Sequence, residues 1–209
     1  LNVPIAPSQA AGVVSLPPGT SSTTSRGSAA EALAGTIPLP RMLSLNAAVF
    51  VGSMPAQAEI DADPSLIDGV VTDSHTGPAR FLQMLAPLIE ARGQGTVVGV
   101  CSVAGDRGRI GNYVYGSAKA GFATYLSGLR NRLTRAGAHV VTVKPGFVDT
   151  AMTWGLPGMF LVAAPEAVAD DILNAVAKKR NVIYTPFFWR WIMLIIRHIP
   201  EPVFKKMKI

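Results

Sequence analysis

From residue 45 onward, short apolar runs alternate with longer segments whose apolar residues recur at helical spacing. The runs are rich in valine and most are bounded by glycine or proline, which predicts buried strands. These predicted strands are Leu45–Val51, Val97–Cys101, Val140–Gly146 and Val182–Tyr184. The intervening segments predict helices over Pro78–Ala91 and Tyr115–Ala136, and a further helix that begins at Pro165 as an N1 proline.

Residues 1–44 do not follow this pattern. The segment is rich in residues that interrupt helices and strands, which predicts an irregular structure. These residues are Pro17-Pro18-Gly19, the Ser/Thr run over 21–25, Pro38 and Pro40. The chain starts at Leu1 rather than Met, which indicates a fragment or a processed start. We therefore divide the chain into an irregular segment 1–44, a main domain 45–185 and an apolar, basic tail 186–209 predicted to be helical.

Composition limits the class of protein. The 209 residues are 49% hydrophobic and 15% charged, which is typical of one folded globular domain. The single cysteine, Cys101, excludes an internal disulfide and a cysteine-rich metal site, and we expect it to pack as a small apolar residue in an intracellular protein. No metal site is predicted.

The net charge of +6 is unevenly distributed. Residues 1–100 hold four Lys/Arg and seven Asp/Glu, whereas residues 101–209 hold fifteen and six. No nucleic-acid-binding motif accompanies the basic residues, so we predict no nucleic-acid partner. No signal peptide is visible at the N-terminus, and we expect a cytoplasmic location.

Candidate chemistry is concentrated between residues 102 and 119. Tyr115 and Lys119 are four residues apart on a predicted helix and therefore share one face. An ammonium held there would lower the tyrosine pKa from about 10 towards neutral pH, and the Ser102 hydroxyl would complete an acid/base site that binds a carbonyl. For the Tyr/Lys pair alone, an ordinary helix remains the better interpretation.

The order of the elements around this pair favours the acid/base site over an ordinary helix. A strand, the Ser102 loop, the Tyr115-xxx-Lys119 helix, a second strand and the Pro145-Gly146 turn together resemble the short-chain dehydrogenase/reductase family over residues 46–209. The resemblance implies an α/β fold with a Rossmann-like doubly wound parallel sheet, and hydride transfer between NAD or NADP and a ketone/alcohol pair. It implies catalytic roles for Ser102, Tyr115 and Lys119. The cofactor-binding residues that it implies are Tyr115, Lys119, Pro145, Gly146, Val148 and Thr150.

Three features depart from the family pattern. No TGxxxGxG motif, which would bind the cofactor pyrophosphate, occurs in the sequence, so the N-terminal part of the fold is expected to be incomplete or irregular. The family's active-site Asn falls on Ser74, in a segment where Gly77 and Pro78 predict a helix break or start. Val51-Gly52-Ser53 stands where the family carries Asn-Ala-Gly, and the residues that follow, 56–64, predict an acidic, polar connection. A fragment or pseudoenzyme that binds no cofactor and acts only as a binding partner therefore remains the alternative.

The tail is the second informative segment. Its apolar run is interrupted by Arg190 and is shorter than the ~20 residues that span a bilayer. Tryptophans beside arginines suit a helix lying on an anionic membrane surface, here the inner face; a helix that caps the substrate pocket or contacts another subunit is the alternative. The ending also resembles the family branch that includes reductases of decaprenylphosphoryl-2-keto-pentose, which implies a lipid-linked sugar ketone as substrate. The family also makes a homo-oligomer plausible.

Overall fold

The four predicted strands form one parallel sheet. In the computed structural model, which describes residues 45–150 and 160–207, they are hydrogen-bonded in the order β1-β2-β3-β4. Their bounds are Ala47–Val49 (β1), Thr96–Val100 (β2), His139–Pro145 (β3) and Val182–Thr185 (β4). Because parallel strands end at the same edge, the segments that follow β2 and β3 lie side by side.

Helices cover both faces of the sheet. The helices are α1 (Gln57–Ala62), α2 (Leu66–Val71), α3 (Gly77–Arg92), α4 (Tyr113–Thr134), α5 (Pro165–Ala177), α6 (Trp189–His198) and α7 (Glu201–Phe204). α3 and α4 pack on one face of the sheet and α5 packs on the other. The predicted apolar stripe of α4 is buried as expected: Phe122, Leu126, Leu129 and Leu133. The chain thus has the predicted α/β, Rossmann-like architecture, and the irregular segment predicted over 1–44 lies outside the described residues.

One local prediction is wrong and another is confirmed only in part. The polar connection over 56–64 contains α1. The helix predicted over Pro78–Ala91 is α3, which starts at Gly77 as the glycine and proline predict, but no break separates it from α2. Instead a π-helical turn, Thr72–Thr76, joins α2 to α3, and the Gly77 N–H donates to the Thr72 carbonyl. A Cβ on Gly77 would lie 2.8 Å from that carbonyl oxygen, so glycine is what permits the wide turn.

The tail folds back onto the domain as two helices, α6 and α7, rather than one. Trp189 and Met193 on α6 are fully buried and pack against Val103, which follows β2. In the described parts of the chain, none of the helices is both apolar enough and long enough to cross a membrane.

Candidate active site

The end of β2 presents Ser102. Its backbone is extended, and it caps a 3₁₀ turn, Val103–Asp106, by accepting a hydrogen bond from the Ala104 N–H at 3.1 Å. The preceding Cys101 is buried in the core, which confirms its predicted packing. Burial raises the pKa of the Cys101 thiol to about 11, so it is protonated at neutral pH.

Two glycines bring the 3₁₀ turn against α4. A Cβ on Gly105 would lie 2.8 Å from the Ala120 nitrogen, and a Cβ on Gly116 would lie 2.7 Å from the Ala104 oxygen. Larger residues at either position would push the turn away from the helix. The close approach places Ser102 within hydrogen-bonding reach of Tyr115, whose pKa this hydrogen bond lowers.

Tyr115 and Lys119 are neighbours on the buried face of α4, as their spacing predicts. Tyr115 is 7% exposed and Lys119 is 3% exposed. The ammonium Nζ lies 5.7 Å from the centroid of the phenol ring. It donates to the carbonyl oxygen of Val51, two residues after β1, at 2.7 Å and to that of Val100, the last residue of β2, at 3.2 Å. The lysine therefore links the two strand ends to the tyrosine helix.

The predicted effect of Lys119 on the tyrosine pKa is wrong in this structure. Burial raises the pKa of Tyr115 to about 12, and the Ser102 hydrogen bond only partly opposes this. Burial also lowers the pKa of Lys119 to about 8, because its ammonium is removed from water without a carboxylate partner among the described residues. Desolvation is the largest cause of both pKa shifts, and neither of the two groups is a cause of the other's shift.

Ser74 lies beside the lysine, where the family resemblance expects an asparagine. A Cβ built on Gly52 would be 3.0 Å from both the Lys119 Nζ and the Ser74 Oγ. Ser74 is fully buried in the π-helical turn, and its hydroxyl reaches the Ser53 carbonyl only at 3.5 Å. The missing side chain of Gly52 thus allows the Lys119 amine and the Ser74 hydroxyl to approach the same point of the backbone.

All predicted site residues line one groove of about 1250 Å³, which runs along one face of the sheet from the amino ends of the strands, at Thr96 and His139, to their carboxyl ends. They are Ser102, Tyr115, Lys119, Pro145, Gly146, Val148 and Thr150. Val148 forms an isolated parallel bridge with Ala163, which holds the turn after β3 against the groove. The Lys119 Nζ lies close against Gly52, since a Cβ there would be only 3.0 Å from it, and this fixes the amine at the end of the groove. The residues at this end of the groove therefore fit the nicotinamide half of a dinucleotide.

Sequence reasoning missed a buried charged cluster behind Ser102. The Asp106 carboxylate, 2% exposed, forms an ion pair with Lys144 of β3 and accepts a hydrogen bond from the Tyr184 hydroxyl at 2.7 Å. Burial and the carboxylate raise the pKa of Tyr184 to about 12. The cluster anchors the 3₁₀ turn to β3 and β4. The sequence signal for it is slight: a lysine at the end of an apolar strand.

Sequence reasoning also missed Arg107, which holds the tail. Its guanidinium donates to the carbonyl oxygens of Ile196 and Ile199, each at 2.6 Å, and pairs with Glu201 at 2.9 Å. It also lies 3.6 Å from the centroid of the Phe204 ring. Arg107 thus satisfies carbonyls at the end of α6 and connects the Ser102 loop to α7.

Comparison with known proteins agrees with this geometry. A family model described as short chain dehydrogenase matches residues 28–158. An uncharacterised oxidoreductase of Mycobacterium tuberculosis is 33% identical over 161 residues, covering 77% of this chain and 65% of that protein. The chain therefore spans slightly less than two thirds of this relative.

Two solved structures share the fold. A short chain dehydrogenase from Burkholderia cenocepacia in complex with NADP superposes with a TM-score of 0.65 at 18% identity, covering 74% of this chain and 64% of that one. A bulky-bulky ketone specific alcohol dehydrogenase from Comamonas testosteroni superposes with a TM-score of 0.62 at 24% identity, covering 77% and 65%. At these identities the similarity establishes the fold.

Proposed function

This chain belongs to the short-chain dehydrogenase family, and on that premise we propose that it transfers hydride between NAD or NADP and a ketone/alcohol pair. The observation that supports the proposal is the meeting of Ser102, Tyr115 and Lys119 at the carboxyl end of a parallel sheet, within one groove. Open α/β sheets bind nucleotide cofactors at this end.

Each side chain has a role that its surroundings favour. Tyr115, with a pKa of about 12, is protonated at neutral pH and donates its proton to the oxygen of a ketone during reduction. Ser102 holds that oxygen by a hydrogen bond. Lys119 and the segment 145–150 bind the nicotinamide half of the cofactor, which when bound supplies or accepts the hydride.

The substrate is proposed to carry a bulky apolar part. The rings of Phe147 and Phe160 lie 5.8 Å apart, and that of Trp189 is 5.8 Å from Phe147 and 5.5 Å from Phe160. Phe147 lines the groove, and Phe160 is half exposed beside it. This aromatic cluster is suited to an acyl or prenyl chain. We propose a lipid-linked sugar ketone, the substrate type of the branch that the sequence resembles.

Contact with a membrane surface is a second proposal, based on the outer face of α6. Trp191, Leu194 and Ile195 are 58%, 48% and 68% exposed, although the opposite face of the same helix is buried. Exposed cations flank these residues: Arg190, Arg197, Lys205 and Lys206. An apolar face with a basic border is complementary to an anionic lipid surface.

Vesicle sedimentation tests this contact. The chain is expected to sediment with vesicles that contain phosphatidylglycerol and to stay in solution with pure phosphatidylcholine. The double substitution Trp191→Ser/Ile195→Ser should abolish sedimentation, whereas Ile67→Ser, at an exposed apolar residue of α2, should not. Equal sedimentation of all three proteins, or none with the parent, would contradict the proposal.

Fluorescence titration with NADH and NADPH tests the proposed hydride transfer. We expect saturable binding by the parent chain and weaker binding by Lys119→Met, with reduction of a bulky ketone by the parent. Absence of binding up to millimolar concentrations would favour the alternative, a family member that binds partners without a cofactor. That alternative is supported by the missing glycine-rich motif.

A further inference from the structure

Arg109 lines the same groove as Ser102 and Tyr115, in the loop between the 3₁₀ turn and α4. Its Nε is buried and has no hydrogen-bond partner among residues 45–150 and 160–207. Its guanidinium makes no ion pair with any residue that the structure describes. Buried guanidinium nitrogens are normally paired, because desolvation of an unpaired one costs free energy.

The chain itself offers few partners for this cation. The nearby carboxylate, Asp106, is occupied by Lys144 and Tyr184. Residues 151–159 contain no Asp or Glu, and residues 1–44 contain only Glu31. Burial lowers the pKa of Arg109, and Asp106 partly opposes this, so the charge is held in the groove against a desolvation cost. A group whose cost is not offset within the protein is expected to meet a ligand.

The neighbourhood of Arg109 suits a negative ligand. Asn112, which also lines the groove, precedes the first turn of the 22-residue helix α4, whose N-terminus carries partial positive charge. The Asn112 N–H donates to the Arg109 carbonyl at 3.2 Å, so both residues lie at the start of the helix that carries the proton donor, Tyr115, within about one turn of it. A planar guanidinium there can bind a phosphate or carboxylate through two parallel hydrogen bonds.

We propose that Arg109 binds an anionic group, a phosphate or a carboxylate, of the same substrate whose ketone faces Tyr115. This inference rests on the proposed function and narrows its substrate class to anionic ketones. Arg109 is then the residue that selects charged over neutral substrates, whereas Ser102 and Tyr115 act on the carbonyl in both.

Isothermal titration with matched ketone pairs tests the inference. Dihydroxyacetone phosphate is compared with dihydroxyacetone, and acetoacetate with ethyl acetoacetate, for the parent, Arg109→Gln, Arg109→Lys and Arg80→Gln. Arg80 is an exposed arginine of α3 outside the groove and serves as the charge control. Arg109→Gln is expected to weaken binding of the anionic member by about 10- to 100-fold, the usual strength of a charge-assisted hydrogen bond. Arg109→Lys should retain part of the affinity.

The outcomes separate this inference from the proposed function. A loss confined to the phosphate pair, or to the carboxylate pair, supports the inference and identifies the anionic group. Equal affinity for anionic and neutral ketones, or an equal loss in Arg80→Gln, overturns it. If the neutral ketones are reduced with NADPH but Arg109→Gln does not change the affinity for the anionic ketones, the proposed function is supported and the anion site at Arg109 is contradicted. If no ketone is reduced but anionic ketones still bind in a way that depends on Arg109, the anion site is supported and the proposed hydride transfer is contradicted. Circular dichroism checks that each variant is folded.

Discussion

The indole of Trp189 lies against Gly146 so closely that a Cβ at residue 146 would be 1.9 Å from its Nε1. The indole is almost fully buried, and its Nε1 has no hydrogen-bond partner among the described residues. The contact joins α6 to the turn after β3. Gly146, a residue of the predicted cofactor-binding turn, is therefore also the position against which α6 packs.

Substitution of Gly146 is expected to destabilise the protein through this contact. Gly146→Ala introduces a methyl group into filled space, and we expect a loss of about 1–3 kcal/mol in the free energy of unfolding. In a Trp189→Ala background the same substitution should cost less, because the space is then free. Urea unfolding of the four proteins measures the difference. Gly108→Ala, where a Cβ meets nothing within 4 Å, is the control. Equal costs in both backgrounds would show that the indole does not restrict residue 146.

Removal of the Tyr115 hydroxyl should abolish turnover without unfolding the chain. We expect Tyr115→Phe to lower kcat for ketone reduction by about 10²- to 10⁴-fold, the usual contribution of a general acid. The neighbouring Tyr113, which is 48% exposed and donates to Asp61 at 3.0 Å, provides the matched control. Tyr113→Phe should keep kcat near the parent value. Equal rates for Tyr115→Phe and the parent would remove Tyr115 from the proposed mechanism.

The buried amine of Lys119 should make stability depend on pH. Its pKa is about 8 in the folded chain and 10.5 when unperturbed, so between these values the unfolded chain binds more protons and stability rises with pH. Below pH 8 the cost of the buried charge is fully present. The parent is therefore expected to gain about 1 kcal/mol relative to Lys119→Met between pH 7 and pH 9.

Urea unfolding of the two proteins across this range measures that gain. Comparison with the variant is necessary because Cys101, Tyr115 and Tyr184 have raised pKa values that lower stability at alkaline pH in both proteins. Parallel pH profiles for the parent and Lys119→Met would show that the amine is not buried as described.

Arg107 should hold the tail in place. Arg107→Gln removes its two 2.6 Å hydrogen bonds to carbonyls near the end of α6 and the ion pair with Glu201. We expect a loss of about 1.5–3 kcal/mol in the free energy of unfolding, since hydrogen bonds from a charged group are lost. Amide hydrogen exchange should become faster in α6 and α7 but stay unchanged in β2 and β3. Arg80→Gln serves again as the exposed control. Unchanged amide exchange in α6 of Arg107→Gln would show that Arg107 does not hold the tail in place.

Local patterns in the sequence were sufficient for much of the fold. The strands, the apolar stripe of α4 and the shared face of Tyr115 and Lys119 follow from spacing along the chain, because the periods of strands and helices fix which side chains are neighbours. The same reasoning placed the start of α3 at Gly77 and Pro78 correctly but missed the helical residues that precede it. The π-helical turn depends on a bond from Gly77 to the Thr72 carbonyl, which breaks the ordinary helical period.

The sequence by itself determined the strands, the long helices, the family and the residue types that can exchange a proton and bind a nicotinamide. Tertiary structure alone decided the contacts between distant segments: Trp189 on Gly146, Arg107 on α6, and Asp106 with Lys144 and Tyr184. It also decided the direction of the pKa shifts. The proximity of Lys119 and Tyr115 can be read from their spacing, but the desolvation that is the largest cause of both pKa shifts depends on how much of the fold surrounds both groups.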